Sequence, residues 1–376
     1  MASSTIGVGQ DYTTAVAWES AKQADLTGLG DEIANIVGNV TADTQLINLA
    51  GWTTTASDRI VIQGIASGDR VGPRSVLHAT DPGTHAALGD NGTGTVVQFN
   101  EDFCKLSNIE LHVASGVKKG AFETNTLTAA SNLIEAHNCM FSTDDGFAST
   151  SGIGTFNTNT ILDMHNCIIM SGVGRGIVWS VSSTGSVIRY CTVIGGGDRI
   201  FWLAGGGLTV TNCVSMGGSA ESWRGTFVGG GYNASDLADC ESKFSNSQDS
   251  LTMSAQYENP SEDRTVADWT LLTGADLNGA GLDQGDITED MFGTTRPDPP
   301  AVGALEFYTA PVGAVRGDAD GLYRQSAFHD GIISDNGGPW TGCHVTDFRR
   351  ALCVAAGIAD YNSVSVEDAW KRYTEL

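Results

Sequence analysis

Five segments between Cys104 and Met216 repeat one pattern, and that repetition leaves few architectures open to the chain. They read Cys104-Lys-Leu-Ser-Asn108-Ile109, Ile134-Glu-Ala-His-Asn138-Cys139, Leu162-Asp-Met-His-Asn166-Cys167, Ser186-Val-Ile-Arg-Tyr190-Cys191 and Leu208-Thr-Val-Thr-Asn212-Cys213. Each is a short β-prone run with alternating apolar positions, closed by Asn (once Tyr) and a residue of buried type. The spacings from Ile109 to Cys139, Cys167, Cys191 and Cys213 are 30, 28, 24 and 22 residues. A motif that recurs with loops of variable length is the sequence form of a solenoid.

A second set of strand candidates alternates with the first, at 120–123, 146–149, 176–179, 199–202 and 225–228. The expected fold is all-β: a single-stranded right-handed parallel β-helix with about three short strands per coil and coils about 4.8 Å apart. Identical positions then stack. Asn tolerates a left-handed backbone at a sharp turn, so Asn108, Asn138, Asn166 and Asn212 would form a ladder that Tyr190 interrupts. Cys139, Cys167, Cys191 and Cys213 take the place of Ile109 in successive coils. Interchange with Ile marks them as small buried hydrophobes rather than disulfide or metal positions. Phe141, Ile169 and Val193 continue the core two residues later.

The 48 glycines, 8 prolines and 17% charged residues among 376 fit many tight turns between short strands. A net charge of −24, from 44 acidic and 20 basic residues, argues against nucleic acid or an anionic membrane as partner. No apolar run approaches the roughly 20 residues that span a bilayer. The start, Met1-Ala-Ser-Ser-Thr-Ile-Gly7, lacks the basic and apolar regions of a secretory signal. Thr13 or Thr14 can cap a helix with Val16, Ala17 and Ala21 on one face, placing a capping segment at 1–30. Less regular coils are expected around Glu32–Val37, Gln45–Leu49, Arg59–Gln63, Ser75–His78 and Thr95–Phe99, so that the solenoid runs over 31–230.

An irregular end follows at 231–310, with Tyr232-Asn233, a passage from Trp269 to Leu277, Phe292-Gly-Thr-Thr-Arg296-Pro297 and Val302-Gly-Ala-Leu-Glu306-Phe307. This ending resembles the C-terminal signature of pectin-lyase-like, right-handed β-helix repeat proteins. The opening Gly7-Val-Gly-Gln-Asp-Tyr-Thr-Thr14 with Ala17-Trp-Glu-Ser-Ala21 resembles the start of β-helix proteins of tailed bacteriophages. Residues 311–376 lie outside the pattern and suggest a small helical module. Thr346 can cap 347–356, and Ser365 with Asp368 can open a last helix over 366–373.

Chemistry on such a scaffold would arise where coils bring outward side chains together. Counting back from the ladder gives one outward column of Ser107, His137, His165, Arg189 and Thr211, and a neighbouring one of Lys105, Glu135, Asp163, Val187 and Thr209. Glu135, Asp163, His137, His165 and Arg189 are therefore the candidate catalytic group, suited to acid–base work or metal binding. An ordinary ion-paired sheet face is the competing account.

Asp144-Asp145, Asp198-Arg199 and Glu221 lie in expected turns and could form an acidic groove or a solvated surface, and the pattern Asp318-Ala-Asp320-Gly321 lacks the later ligands of a calcium loop. The glycine runs 195–197, 205–207 and 229–231 are expected as turns between coils; none opens a helix as a phosphate loop would. Trp179, Trp202 and Trp223 could stack on sugars or fill the core. No cofactor and no metal site is expected.

The resemblance implies a structural protein of a tailed-phage virion: a head or tail decoration, fibre or spike carrying a rigid rod for host-surface or glycan attachment. It would be a homotrimer, anchored to other virion proteins through residues 308–376. The alternative is a polysaccharide lyase or glycoside hydrolase of tailspike type.

Overall fold

The computed structural model describes residues 2–37, 39–40, 46–65, 87–89, 96–113, 121–124, 132–143, 151–155, 160–171, 175–179, 185–195, 199–203, 205–260 and 268–307. The strand candidate at 75–78, the turn residues Asp144, Asp145 and Asp198, the pattern at 318–321 and the helical module lie outside them. The chain divides into Met1–Phe307 and Tyr308–Leu376; all that follows concerns the first unit.

Three parallel sheets wind along one axis. The first stacks Ala2–Ile6, Glu32–Val37, Ile60–Ile65, Cys104–Ser107, Asn132–His137, Thr160–His165, Ser186–Arg189, Leu208–Thr211 and Gly229–Gly231. The second stacks Asn39–Val40, Ala87–Gly89, Glu110–Val113, Met140–Thr143, Ile168–Met170, Thr192–Ile194, Val214–Met216 and Ala234–Ser235. The third stacks Ile47–Leu49, Val97–Phe99, Phe122–Thr124, Ser151–Thr155, Arg175–Trp179, Arg199–Leu203 and Glu221–Arg224. The chain visits first, second and third sheet in turn and returns one coil further on. Parallel crossovers of this kind are right-handed, and the molecule is a right-handed parallel β-helix.

The corner between the first and second sheets is where the repeat does its work. Asn108, Asn138, Asn166, Tyr190 and Asn212 all hold φ between 51° and 56° there, a left-handed conformation that Asn adopts at little cost and Tyr does not. Tyr232 extends the column by one coil at φ 56°. Directly after it, Ile109, Cys139, Cys167, Cys191 and Cys213 point inward and are fully buried, the cysteines as free thiols. Leu111, Phe141, Ile169 and Val193 line the second sheet from inside.

The third sheet supplies the aromatic part of the core. Phe99 meets Phe122 at 5.5 Å, Phe122 meets Phe141 at 5.2 Å, and Phe201 stacks on Trp223 at 4.2 Å between ring centroids.

Several expectations need correction. The strand candidate at 146–149 lies outside the described residues; in the third sheet Phe122–Thr124 pairs with Ser151–Thr155, and the last strand is Glu221–Arg224, not 225–228. Gly225 ends that last strand at φ 111°, where an added Cβ would lie 2.4 Å from the Leu203 carbonyl oxygen. Gly229–Gly231 is no turn: it is the final strand of the first sheet.

The N-terminal helix α1, Ala15–Lys22, is capped by Thr14, whose Oγ1 accepts from the Ala17 amide at 3.1 Å. Its buried face is Ala15, Trp18 and Glu19; Ala17 and Ala21 are exposed. Trp18 lies 5.8 Å from Trp52, whose Nε1 donates to Glu19 at 3.3 Å, so the helix is keyed to the first coils by an aromatic pair with a polar anchor.

The other end is closed by side chains that imitate a missing coil. Asp239 accepts from the Ser222 and Trp223 amides at 2.7 and 2.9 Å, and Asp236 from the Gly217 amide at 2.7 Å. Cys240 and Phe244 plug the core beneath them. Backbone donors at an open sheet edge need such partners.

The outer face of the second sheet carries largely apolar columns too: Met140, Ile168, Val214 and Ala234 in one, with Thr192 on the rung between Ile168 and Val214, and Met170, Ile194 and Met216 in the next, all buried. Residues 251–260 and 268–307 roof this face with Tyr257, Trp269, Leu271, Leu277, Met291, Val302 and Leu305, making a second hydrophobic cluster outside the solenoid. Ile168 and Ile169 thus bury opposite ways from adjacent positions.

Candidate functional site

The strand registers of the first sheet set the geometry of the outward columns. Lys105, Glu135, Asp163, Val187 and Thr209 are mutual neighbours on successive coils, as are Ser107, His137, His165, Arg189 and Thr211. Glu135, Asp163, His137, His165 and Arg189 therefore lie on one face.

Each charged member of this group already has a protein partner. The Arg189 guanidinium donates to Asp163 at 3.2 Å and to Asp286 at 2.6 Å. Arg59 donates to Glu135 and, on its other side, lies 3.4 Å from Asp31. Burial pulls both arginines toward lower pKa, but the facing carboxylates outweigh it and both end above the ordinary value. Neither carboxylate of the candidate pair is left without a cation.

The two histidines stack ring on ring, 3.9 Å between centroids with planes 26° apart. His137 Nε2 is 3.8 Å from Glu135 Oε1, too far for a hydrogen bond. That nitrogen and His165 Nδ1 are shielded from solvent and have no hydrogen-bond partner. Burial, then the neighbouring His165, Lys105 and the arginines, holds His137 down at about 2; burial and Arg189 hold His165 at about 4. Both rings are neutral at ordinary pH. Among the described residues no group of three or more His, Cys, Asp and Glu side chains is placed to hold a metal ion.

Asp31, Arg59 and Asp286 complete the cluster and carried no signal in the repeat. Asp286 belongs to the roof over the second sheet, and its turn reaches around the corner to the first.

The Asn column behaves in two ways. Asn138 Nδ2 donates to Asn108 at 3.2 Å, and Asn166 Nδ2 to Asn138 at 3.1 Å. Above Tyr190 that run stops. Asn212 instead donates to the Leu282 carbonyl at 2.7 Å and accepts from the Leu282 amide at 2.8 Å.

Tyr190 has its own purpose. Its hydroxyl donates to Leu282 O at 2.8 Å, and the Arg296 guanidinium lies 3.9 Å over its ring. Arg296 also donates to Asn166 Oδ1 at 2.8 Å and pairs with Glu306, both side chains being 2% exposed. Glu306 accepts from the Ala301 amide, while its own amide donates to Asp290 at 3.0 Å. Gly303 takes φ 107°, and a Cβ there would lie 2.8 Å from Thr192 Oγ1. The Arg296-Pro297 and Gly303-Ala-Leu-Glu306 elements are thus a latch that fastens the roof to the corner.

Of the tryptophans, Trp179 and Trp223 are wholly buried. Trp202 faces outward and half-buried, with the Arg175 guanidinium 4.0 Å over its ring. Glu221 opens the last strand of the third sheet, not a turn, and lies 3.7 Å from Arg224.

No protein-family model matches the chain. No curated protein sequence matches it. Among solved structures it is similar to the pectin methylesterase from Aspergillus niger, at 11% identity and a TM-score of 0.30, over 75% of this chain and 94% of that one. The parallel β-helix is established by the strand registers themselves.

Proposed function

We propose that the chain is a structural component of a tailed-phage particle, a decoration, fibre or spike, in which the β-helix serves as a stiff rod. The observation that carries this reading is the state of the candidate catalytic group. Glu135 is held by Arg59, Asp163 by Arg189, and both imidazoles are neutral and packed on each other. A general acid–base pair needs groups free to exchange protons with a substrate; here they are engaged in holding neighbouring coils together. The likeness of the opening, Gly7 to Thr14 with Ala17 to Ala21, to the start of tailed-phage β-helix proteins supports the setting. In this reading residues 308–376 anchor the rod to other virion proteins and the rod assembles as a homotrimer.

The test is to fractionate particles of the encoding phage or prophage and locate the protein by mass spectrometry and immunogold imaging. It should co-purify with the particle in a fixed stoichiometry. Recovery only from the soluble fraction of the infected cell would overturn the proposal. Polysaccharide cleavage that Glu135→Ala/Asp163→Ala abolishes in a folded protein would replace it with the hydrolase or lyase reading.

A further inference from the structure

We propose that Asn278 is a self-modification site: its side-chain amide closes onto the Gly279 backbone nitrogen and hydrolyses to isoaspartate, and the lengthened chain frees one edge of the roof from the corner. The proposal concerns the roof alone and does not depend on the setting of the protein.

The turn that carries Asn278 has what the reaction needs. Asparagine is thermally labile, and the labile step is attack on Cγ by the amide nitrogen of the next residue. A side chain on that residue obstructs the attack. Gly279 has none, is exposed, and holds φ 65°, a conformation that glycine adopts without strain. Even a Cβ there would meet nothing nearer than Pro299 at 3.8 Å, so the approach is open. Among the described residues the Gly279 amide has no acceptor. Asn278 Oδ1 is shielded from solvent and has no donor. One bond restrains the side chain: Nδ2 donates to the Leu272 carbonyl at 2.9 Å. That bond must open before Cγ can reach the nitrogen, so local opening of the turn sets the pace.

The only co-reactant is water. The Gly279 nitrogen bonds to Asn278 Cγ, the Cγ–Nδ2 bond breaks, and ammonia leaves with the Gly279 amide proton. Water then opens the five-membered imide. Attack at the side-chain carbonyl gives aspartate; attack at the main-chain carbonyl leaves the chain running through Cβ, as isoaspartate. Either way the Leu272 carbonyl loses the Nδ2 donor.

Isoaspartate adds one carbon, about 1.5 Å, to the backbone between two held points. On one side Leu277 is wholly buried in the second hydrophobic cluster. Its amide donates to Gln256 at 3.3 Å, and its carbonyl accepts from the Val302 amide at 3.0 Å. On the other side the Gly281 amide donates to Pro300 O at 2.8 Å, and the Leu282 backbone is gripped by Asn212 and Tyr190. Gly281 has no slack to take up, since a Cβ there would lie 2.9 Å from Pro300 O. Leu282 is the hold that yields, being 40% exposed where Leu277 is buried. Its contacts to Asn212 and Tyr190 tie the roof to the corner alongside Arg296, and these are the contacts that conversion breaks.

The experiment ages the full chain in mildly alkaline buffer at body temperature, beside the same chain unfolded in urea. Asn91-Gly92 and Asn336-Gly337 are the other Asn-Gly pairs of the sequence, and both asparagines are changed to Gln so that added negative charge reports Asn278. Mass spectrometry with electron-transfer fragmentation separates isoaspartate from aspartate in the peptide that holds residue 278. The native chain should convert more slowly than the unfolded one, with isoaspartate the main product. Converted molecules, isolated by ion exchange, should lose hydrogen-exchange protection at the Leu282 amide by at least about tenfold, while the coils from Thr160 to Thr211 keep theirs. Asn278→Gln, whose longer side chain closes far more slowly, should stay unconverted and protected. An isoaspartyl methyltransferase, which returns isoaspartate to aspartate, should restore the protection by restoring the chain length.

An Asn278 that stays intact in the native chain would overturn the site, whatever the unfolded chain does. An isoaspartate form that keeps its protection at Leu282 would overturn the release.

Discussion

The first and second sheets are built from the same coils and share the same corner, yet their outer faces solve opposite problems. On the first sheet the outward columns are Lys, Glu, Asp, His and Arg, joined in ion pairs that remain partly in contact with water. On the second they are mostly Met, Ile and Val, and they vanish beneath residues 251–260 and 268–307. Because the inward columns must be apolar on every sheet, the outward columns are the free variable of a solenoid. A polar choice leaves a face that can meet a ligand; an apolar choice demands a roof, and burying each large aliphatic side chain there contributes about 1.5–3 kcal/mol. The roof then needs polar fastening where it meets the corner, which Arg296 provides.

The comparison predicts that similar-looking arginines have very different worth. Arg296 pairs with Glu306 where both side chains are 2% exposed, stacks on Tyr190 and donates to Asn166. Arg296→Ala strands Glu306 in a dry site, a change that costs about 3–5 kcal/mol. We expect a large drop in urea midpoint and, before global unfolding, loss of hydrogen-exchange protection across 288–307 with binding of a hydrophobic dye to the uncovered face. A variant that kept its midpoint and its protection would show that the latch does not hold the roof.

Much of this arrangement was legible beforehand, for a physical reason. The two outward columns of the first sheet followed from counting back from Asn108, Asn138, Asn166 and Asn212, since strand alternation has period two and the corner fixes the phase. Tyr190 was visible as an interruption, but its cause was not: Arg296 approaches from a segment with no repeat to count along. Arg59 and Asp31 were missed because the early coils differ in length, so their register against Glu135 could not be read. The strand expected at 225–228 failed because apolar composition outweighed the glycine that ends the preceding strand. Outward apolar positions such as Ile168 look the same as inward ones in sequence, which hid the second cluster.

The stacked histidines allow an intermediate effect, set by pH. Their folded-state pKa values, about 2 for His137 and about 4 for His165, lie below the ordinary 6.5. The unfolded chain therefore binds more protons than the folded one, and stability falls as pH drops below about 6.5 toward those values. Between pH 7 and 5 His165 alone should lose on the order of 2 kcal/mol, with His137 acting in the same direction. Acidic residues titrate as well, so the informative quantity is the difference between wild type and His137→Asn/His165→Asn. The urea midpoint of the double variant should decline less from pH 7 to 5. Parallel declines would mean that the imidazoles are not held neutral by their surroundings.

The smallest effect belongs to Arg189, and it sharpens the contrast most. Its side chain is 17% exposed, and its partners Asp163 and Asp286 are 30% and 60% exposed. Water screens both contacts, and ordering a long side chain offsets part of what attraction remains. Pairs of this kind contribute about 0–1 kcal/mol, so Arg189→Ala should shift the urea midpoint only slightly and lose less when salt is raised. If Arg189→Ala instead cost as much as Arg296→Ala, the outer face of the first sheet would be as integral to the fold as the roofed one. The polar columns would then be there for stability, and a face free to take a ligand would no longer follow from them.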